Sequence, residues 1–373
     1  MPKRVTLHAG LHKTGSSTIQ QYLRDQDEKL RALGIFYPGP REHEAMEARS
    51  NHPLMFNAMT KLMTAPSEGM DLPACREVVA GVFKKFHQSE FENLIWSYEA
   101  MALTSRAWDT DYLRRILHGV DVRIVFIARY TDDWIESLYR EIIRSRGGPR
   151  AEVFYALPMP PIAPPPIAPL PVAQKDAGAR PPESLLEQGA RTAKALRIMR
   201  EKLPSAEIVV RSFDADREAG SVVSGALAAM GVPVESAFPD ADEEAGLKNP
   251  TKSDLYSMLL YHLIVARAGV DVISAVHAAG RKRDRKGAKF EPLAGRRFRF
   301  LSDEDAIRAH GYYEELREDF PHLPAQPPYV SKPAERYLPR EEVVALLDWL
   351  RPDISDFIFD KACAGYPADR ERP

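Results

Sequence analysis

Four short apolar runs, each preceded or followed by a stretch with helical spacing, constrain this chain more than any other feature: Val5–Ala9, Asn93–Tyr98, Val122–Ala128 and Glu207–Phe213. Runs of this length rich in valine, isoleucine and aromatic residues read as strands. Before the second run, Val78, Val79, Val82, Phe83 and Phe86 recur at the spacing of a helix face. After the first, Ile19, Tyr22, Leu23, Leu30 and Leu33 predict a helix over 17–33. Strands alternating with helices predict an α/β protein with a parallel sheet covered on both faces. In such sheets ligands sit beyond the carboxyl ends of the strands. The loop after Ala9, then Glu99, Arg129 and Asp214, are therefore the candidate ligand positions.

The chain has 373 residues, 44% of them hydrophobic, enough for a substantial core. It is expected as a single α/β domain over 1–373. A net charge of −2 supplies no global field for drawing the protein to nucleic acid or an anionic membrane, so any anion binding is local. Cys75 and Cys363 lie far apart and match no metal or redox spacing, so no disulfide framework and no metal site is expected. The apolar stretch after Lys3 and Arg4 is broken by His8, Gly10 and His12, unlike a signal peptide. The best membrane candidate, Ser257–Val276, contains His262, Arg267 and Asp271 and reads as a core helix or helix pair. A cytoplasmic protein without a membrane span is the expectation.

Ten of the 31 prolines fall between Leu157 and Pro182, which excludes helix and central strand there. The segment 157–182 is expected as a proline-rich insertion or loop, with partner docking or a lid as the sharper alternative. Further helices are predicted over 183–203, 221–230 and 303–319, and a basic stretch runs over 280–299.

The passage Leu7–Thr18, LHAGLHKTGSST, joins the first strand to the first helix. Gly10 and Gly15 have the spacing of a nucleoside-triphosphate loop, but Lys13 stands before the second glycine instead of after it. A strand turning through glycines into a helix N-terminus gathers backbone N–H groups at one point, where the helix dipole adds positive charge. Gly15 permits close approach of an anion, and Thr14, Ser16, Ser17 and Thr18 carry hydroxyls. A lysine with backbone donors can stabilise a departing phosphate when the transferred group carries little charge and needs less metal, as a sulfuryl group does.

Lys13-Thr14-Gly15-Ser16-Ser17-Thr18 resembles the 5′-phosphosulfate loop of sulfotransferases that use 3′-phosphoadenosine 5′-phosphosulfate (PAPS), and the wider HAGLHKTGSST is similar to the bacterial carbohydrate-type branch. Arg129, at a predicted strand end, and Ser137, on the next helix, resemble the family's 3′-phosphate motif. Ile35–Pro38, Glu207–Gly231 and Asn249–Ser253 also look like family landmarks, whereas the proline-rich insertion has no familiar counterpart. The resemblance implies a P-loop-like three-layer sandwich with a central parallel sheet flanked by helices. It implies that Lys13–Thr18 wrap the 5′-phosphate, that Lys13 assists sulfuryl transfer, and that Arg129 and Ser137 hold the 3′-phosphate. Arg285-Lys286-Gly287 resembles the family's segment that closes over that phosphate, although three residues in a basic run fit a solvated surface loop better.

Transfer to a hydroxyl requires a base in line with the donor. Glu99, after the second predicted strand, and His52, after the first helix, are the two candidates; His8 and His12 are expected to pack or orient the loop. The sequence thus points to a PAPS-dependent sulfotransferase with a carbohydrate, glycolipid or other hydroxylated acceptor, or an amine, and no metal. The alternatives are a P-loop kinase or nucleotide hydrolase, which would need magnesium and a lysine after Gly15, and a non-catalytic nucleotide-binding scaffold docking partners through the proline-rich segment.

Overall fold

A computed structural model describes residues 2–43, 46, 52–60, 70–102, 104–146, 185–246, 254–265, 268–285, 290, 292, 298–330, 338 and 340–364. The proline-rich segment 157–182 and the landmark at 249–253 lie outside the described residues. The chain divides into two compact units whose segments interleave in sequence.

The first unit, formed by Met1–Thr131, Gln188–Lys248 and Gly311–Pro327, is α/β and contains the sheet. Its strands are β1 (Arg4–His8), β2 (Ile35–Phe36), β3 (Asn93–Ser97), β4 (Asp121–Ala128) and β5 (Glu207–Ser212), in the order β2-β3-β1-β4-β5. Every pairing is parallel. Four strands coincide with the predicted runs. The fifth, β2, has two residues and pairs with β3 only at Asn93 and Leu94, too little to leave a run in the sequence.

Register determines the two faces. Thr6 lies level with Ile95 on one side and Arg123 on the other, so Thr6, Ile95 and Val125 share a face while Leu7, Trp96 and Ile124 share the opposite one. The first face is covered by α1 (Ser16–Asp25) and helix Val222–Ala229, through a core that includes Ile19, Leu23, Ile95, Val125, Val222 and Leu227. On the second, Phe83 of helix Leu72–Gln88 stacks on Trp96 with ring centroids 6.0 Å apart. Helices therefore lie on both faces of a buried parallel sheet, and every residue of a strand such as β3 is buried for that reason.

Local chemistry terminates the elements. Asp71 accepts the Ala74 N–H to cap helix Leu72–Gln88, and at its other end the Lys3 ammonium donates to the carbonyls of Phe86 and Ser89, at 2.6 and 2.5 Å. The predicted helix over 17–33 is two helices, α1 and α2 (Asp27–Ala32), broken at Gln26. Asp27 and Glu28 supply the acidic first turn of a new helix there.

The second unit comprises Asp132–Glu187, Asn249–His310 and Pro328–Pro373, and its described regular structure is helical. Ser257–Val276 falls on the pair Asp254–Val265 and Val270–Arg285. The buried Glu136 carboxylate accepts the N–H groups of Phe300 and Leu301 at 2.9 and 2.7 Å, and His262 Nε2 accepts the Leu338 N–H at 2.7 Å. Among the described residues no helix is long and apolar enough to cross a membrane.

Candidate active site

In the strand order, β1 lies between the branch leading to β2 and the branch leading to β5, so the β1–α1 loop opens at the topological switch point of the sheet. Residues 9–11 remain tied to β4 through Ala9 N–H to the Val125 carbonyl and Leu11 N–H to the Ile127 carbonyl. The chain then turns through two left-handed residues, Lys13 at φ 66° and Gly15 at φ 77°. Lys13 is the one non-glycine residue with positive φ among the described residues. Such a conformation costs about 1–2 kcal/mol for an L-residue and persists where neighbours over-determine it.

Those neighbours are identifiable. Arg129 Nη1 donates to the Lys13 carbonyl at 2.9 Å. The Thr14 hydroxyl donates to the Leu11 carbonyl at 2.6 Å, and the Ser16 hydroxyl reaches the same oxygen at 3.4 Å. Thr14 and Ser16, expected as ligand donors, therefore spend their hydroxyl hydrogens on the loop itself. Gly10 leaves room for this knot, since a Cβ there would stand 3.3 Å from Thr14 Oγ1. At Gly15 a Cβ would meet Val222 at 3.0 Å, in a backbone that already favours glycine.

The α1 ladder begins with the N–H groups of Thr18 and Ile19 on the Gly15 carbonyl, so those of Ser16 and Ser17 precede it. With the exposed Ser17 hydroxyl, they give the helix start the donor set of an anion cradle.

The other strand ends converge here. Asp214, fully buried after β5, accepts the Tyr130 N–H at 2.7 Å and stands 4.0 Å from Arg129 Nε. The Arg129 guanidinium also lies over Phe213, 5.2 Å from the ring centroid. Arg129 is thus held from behind while it holds the loop. Ser137 lies half-buried on helix Thr131–Arg146, in the second unit. Arg285 closes helix Val270–Arg285 in that unit, and Lys286 and Gly287 lie outside the described residues.

After β3, Glu99 accepts from Gln20 Nε2 at 3.0 Å and faces His12 Nδ1 at 3.5 Å. Burial pushes its carboxyl up, but His12 and Gln20 outweigh burial and hold it down at about 2. Glu99 is therefore ionised at neutral pH and a weak proton acceptor. Gln20 Nε2 also donates to Ser97 Oγ at 3.0 Å, and that oxygen lies 2.7 Å from His8 Nδ1. Burial lowers the His8 pKa to about 4 against the pull of Glu99, so this imidazole is neutral, and its Nε2 is buried without a hydrogen-bond partner.

His52, the second candidate base, is built into the frame. Its Nδ1 accepts the Ser97 N–H at 2.9 Å, which makes Nε2 the protonated nitrogen, and Nε2 meets the Pro38 carbonyl at 2.9 Å. Both nitrogens are used, the ring packs between Tyr37 and Trp96, and burial lowers its pKa to about 3. That leaves no lone pair for an acceptor proton.

The contact missing from the sequence reading is His12 with Glu99. Register explains it: His8 and Ser97 are paired residues of β1 and β3, so the stretches just beyond them emerge side by side. A cleft of about 580 Å³ opens elsewhere, between Arg24–Lys29 and Gly39–Glu42, where Arg31 pairs with Glu42 and Arg41 with Glu28. Its lining mixes acidic and basic side chains, with Arg41 also 3.7 Å from Asp27. Among the described residues no three metal-ligating side chains converge. No protein-family profile matches the chain, and comparisons with curated proteins and solved structures return no match.

Proposed function

We propose that the protein is a P-loop-like, PAPS-dependent sulfotransferase acting on a hydroxyl or amine of a carbohydrate, glycolipid or other small acceptor. The observation that carries this reading is the β1–α1 loop, in which Lys13, two residues before Gly15, is held in a left-handed conformation by the Arg129 side chain. The loop suits the donor on structural grounds: the N–H groups of Ser16 and Ser17 precede the helix ladder, and Gly15 takes the left-handed turn that leads into it.

PAPS supplies a sulfuryl group carried on a phosphoric anhydride. In this reading the backbone N–H groups of Ser16 and Ser17 and the Ser17 hydroxyl hold the 5′-phosphate, and Lys13 adds positive charge where the leaving phosphate gains negative charge. Arg129 keeps Lys13 in place and, by the family resemblance, contributes to holding the 3′-phosphate. The buried Asp214 fixes Arg129 in turn.

Calorimetric titration with adenosine 3′,5′-bisphosphate is expected to show binding well below millimolar ligand. ATP with magnesium is expected to bind more weakly and not to be hydrolysed. Absence of bisphosphate binding at millimolar ligand, or magnesium-dependent ATP turnover, would overturn the reading in favour of phosphoryl chemistry or a different ligand.

A further inference from the structure

We propose that His12 is the base that takes the acceptor proton and that Glu99 is the residue positioning it, an assignment resting on the sulfuryl-transfer reading. His12 Nδ1 stands 3.5 Å from Glu99 Oε1. An imidazole nitrogen facing a carboxylate carries the ring proton, which leaves the lone pair on Nε2, at the other edge of the ring. The His12 side chain is 41% exposed and that of Glu99 only 16%, so the imidazole is the member of the pair an acceptor can reach.

The carboxylate is held for this task. Its other oxygen takes the Gln20 N–H at 3.0 Å, and Gln20 is fixed through Ser97 Oγ. Held near 2, Glu99 is too weakly basic to be the acceptor base itself but well suited to stabilise an imidazolium. The other nearby imidazoles are unsuitable: His8 is fully buried, and His52 has both nitrogens engaged. His12 also directly precedes Lys13, so base and leaving-group lysine sit on one constrained turn, pinned at the Lys13 carbonyl by Arg129.

In the step assigned to this pair, the acceptor oxygen forms a bond to sulfur and its hydrogen passes to His12 Nε2. The bond from sulfur to the bridging phosphate oxygen breaks, its electron pair leaving on the phosphate beside Lys13. The products are the sulfated acceptor and adenosine 3′,5′-bisphosphate, and the imidazolium returns its proton to solvent.

The test uses the full chain. Nitrogen-15 histidine NMR of the wild type at neutral pH is expected to show His12 protonated on Nδ1, and Glu99→Gln is expected to shift it toward the other tautomer. With PAPS as donor and water as acceptor, His12→Ala is expected to lose at least about 100-fold in bisphosphate release. Its bisphosphate affinity should stay unchanged, and added imidazole should restore part of the rate, which a merely structural role would not allow. A His12 protonated on Nε2, or a His12→Ala variant that binds bisphosphate and turns over normally, overturns the proposal alone. A wild type that binds no bisphosphate overturns the sulfuryl-transfer reading, and the proposal with it.

Discussion

Lys13→Gly is expected to lose about 100- to 1,000-fold in sulfuryl transfer while unfolding at the same or a slightly higher urea concentration than the wild type. The loss follows from removing the one side-chain charge assigned to the leaving phosphate. The stability effect has a separate origin. At φ 66° a lysine pays the left-handed penalty of about 1–2 kcal/mol, and glycine does not. Glycine returns part of that gain as unfolded-chain entropy, leaving a net of up to about 1 kcal/mol. Lys13→Ala keeps the strain, so it is expected to lose activity equally without the gain. Paired turnover and urea-unfolding measurements separate the two effects, and unchanged turnover in Lys13→Gly removes the lysine from the mechanism.

His52→Ala is expected to destabilise the protein by about 3–5 kcal/mol, the largest stability loss anticipated near the site. The substitution empties a space between Tyr37 and Trp96 and leaves the Ser97 N–H and the Pro38 carbonyl without their imidazole partner. The same residue makes stability depend on pH. Its pKa falls from an ordinary 6.5 to about 3 in the folded protein, and that of His8 to about 4. The unfolded chain therefore binds protons that the folded chain refuses, so stability is present above pH 6.5 and is lost as pH falls toward 4 and 3. At pH 5 each histidine contributes a loss of about 2 kcal/mol. Glu99 adds a loss of the same sign at lower pH, between its ordinary 4.5 and about 2. Urea unfolding at pH 7.5 and pH 5 checks the sign, and equal stability at the two values would contradict it.

The elements legible in the sequence are those whose signal is local. β1, β3, β4 and β5 are runs of five to eight residues bounded by turns, and helix Asp303–Asp319 coincides with its predicted limits. β2 was not legible because a two-residue strand is specified by its neighbour β3, with too few residues to make a pattern. The β1–α1 loop was legible because glycine spacing next to a strand has few structural uses.

The pairing of His12 with Glu99 was not, since it arises from the register of β1 on β3 across more than eighty residues of chain. His52 illustrates the converse. As a histidine followed by proline it fits a base or a structural role equally, and only the two bonds at its nitrogens separate them. The hydroxyls of Thr14 and Ser16 made the loop look richer in ligand donors than it is, because their shared acceptor, the Leu11 carbonyl, lies within the loop's own turn.

A crystal structure with adenosine 3′,5′-bisphosphate bound tests the central claim most directly. The expected result is the 5′-phosphate against the backbone N–H groups of Ser16 and Ser17 at the start of α1, with Lys13 still in its left-handed turn. A nucleotide bound elsewhere, with the β1–α1 loop empty, would contradict it.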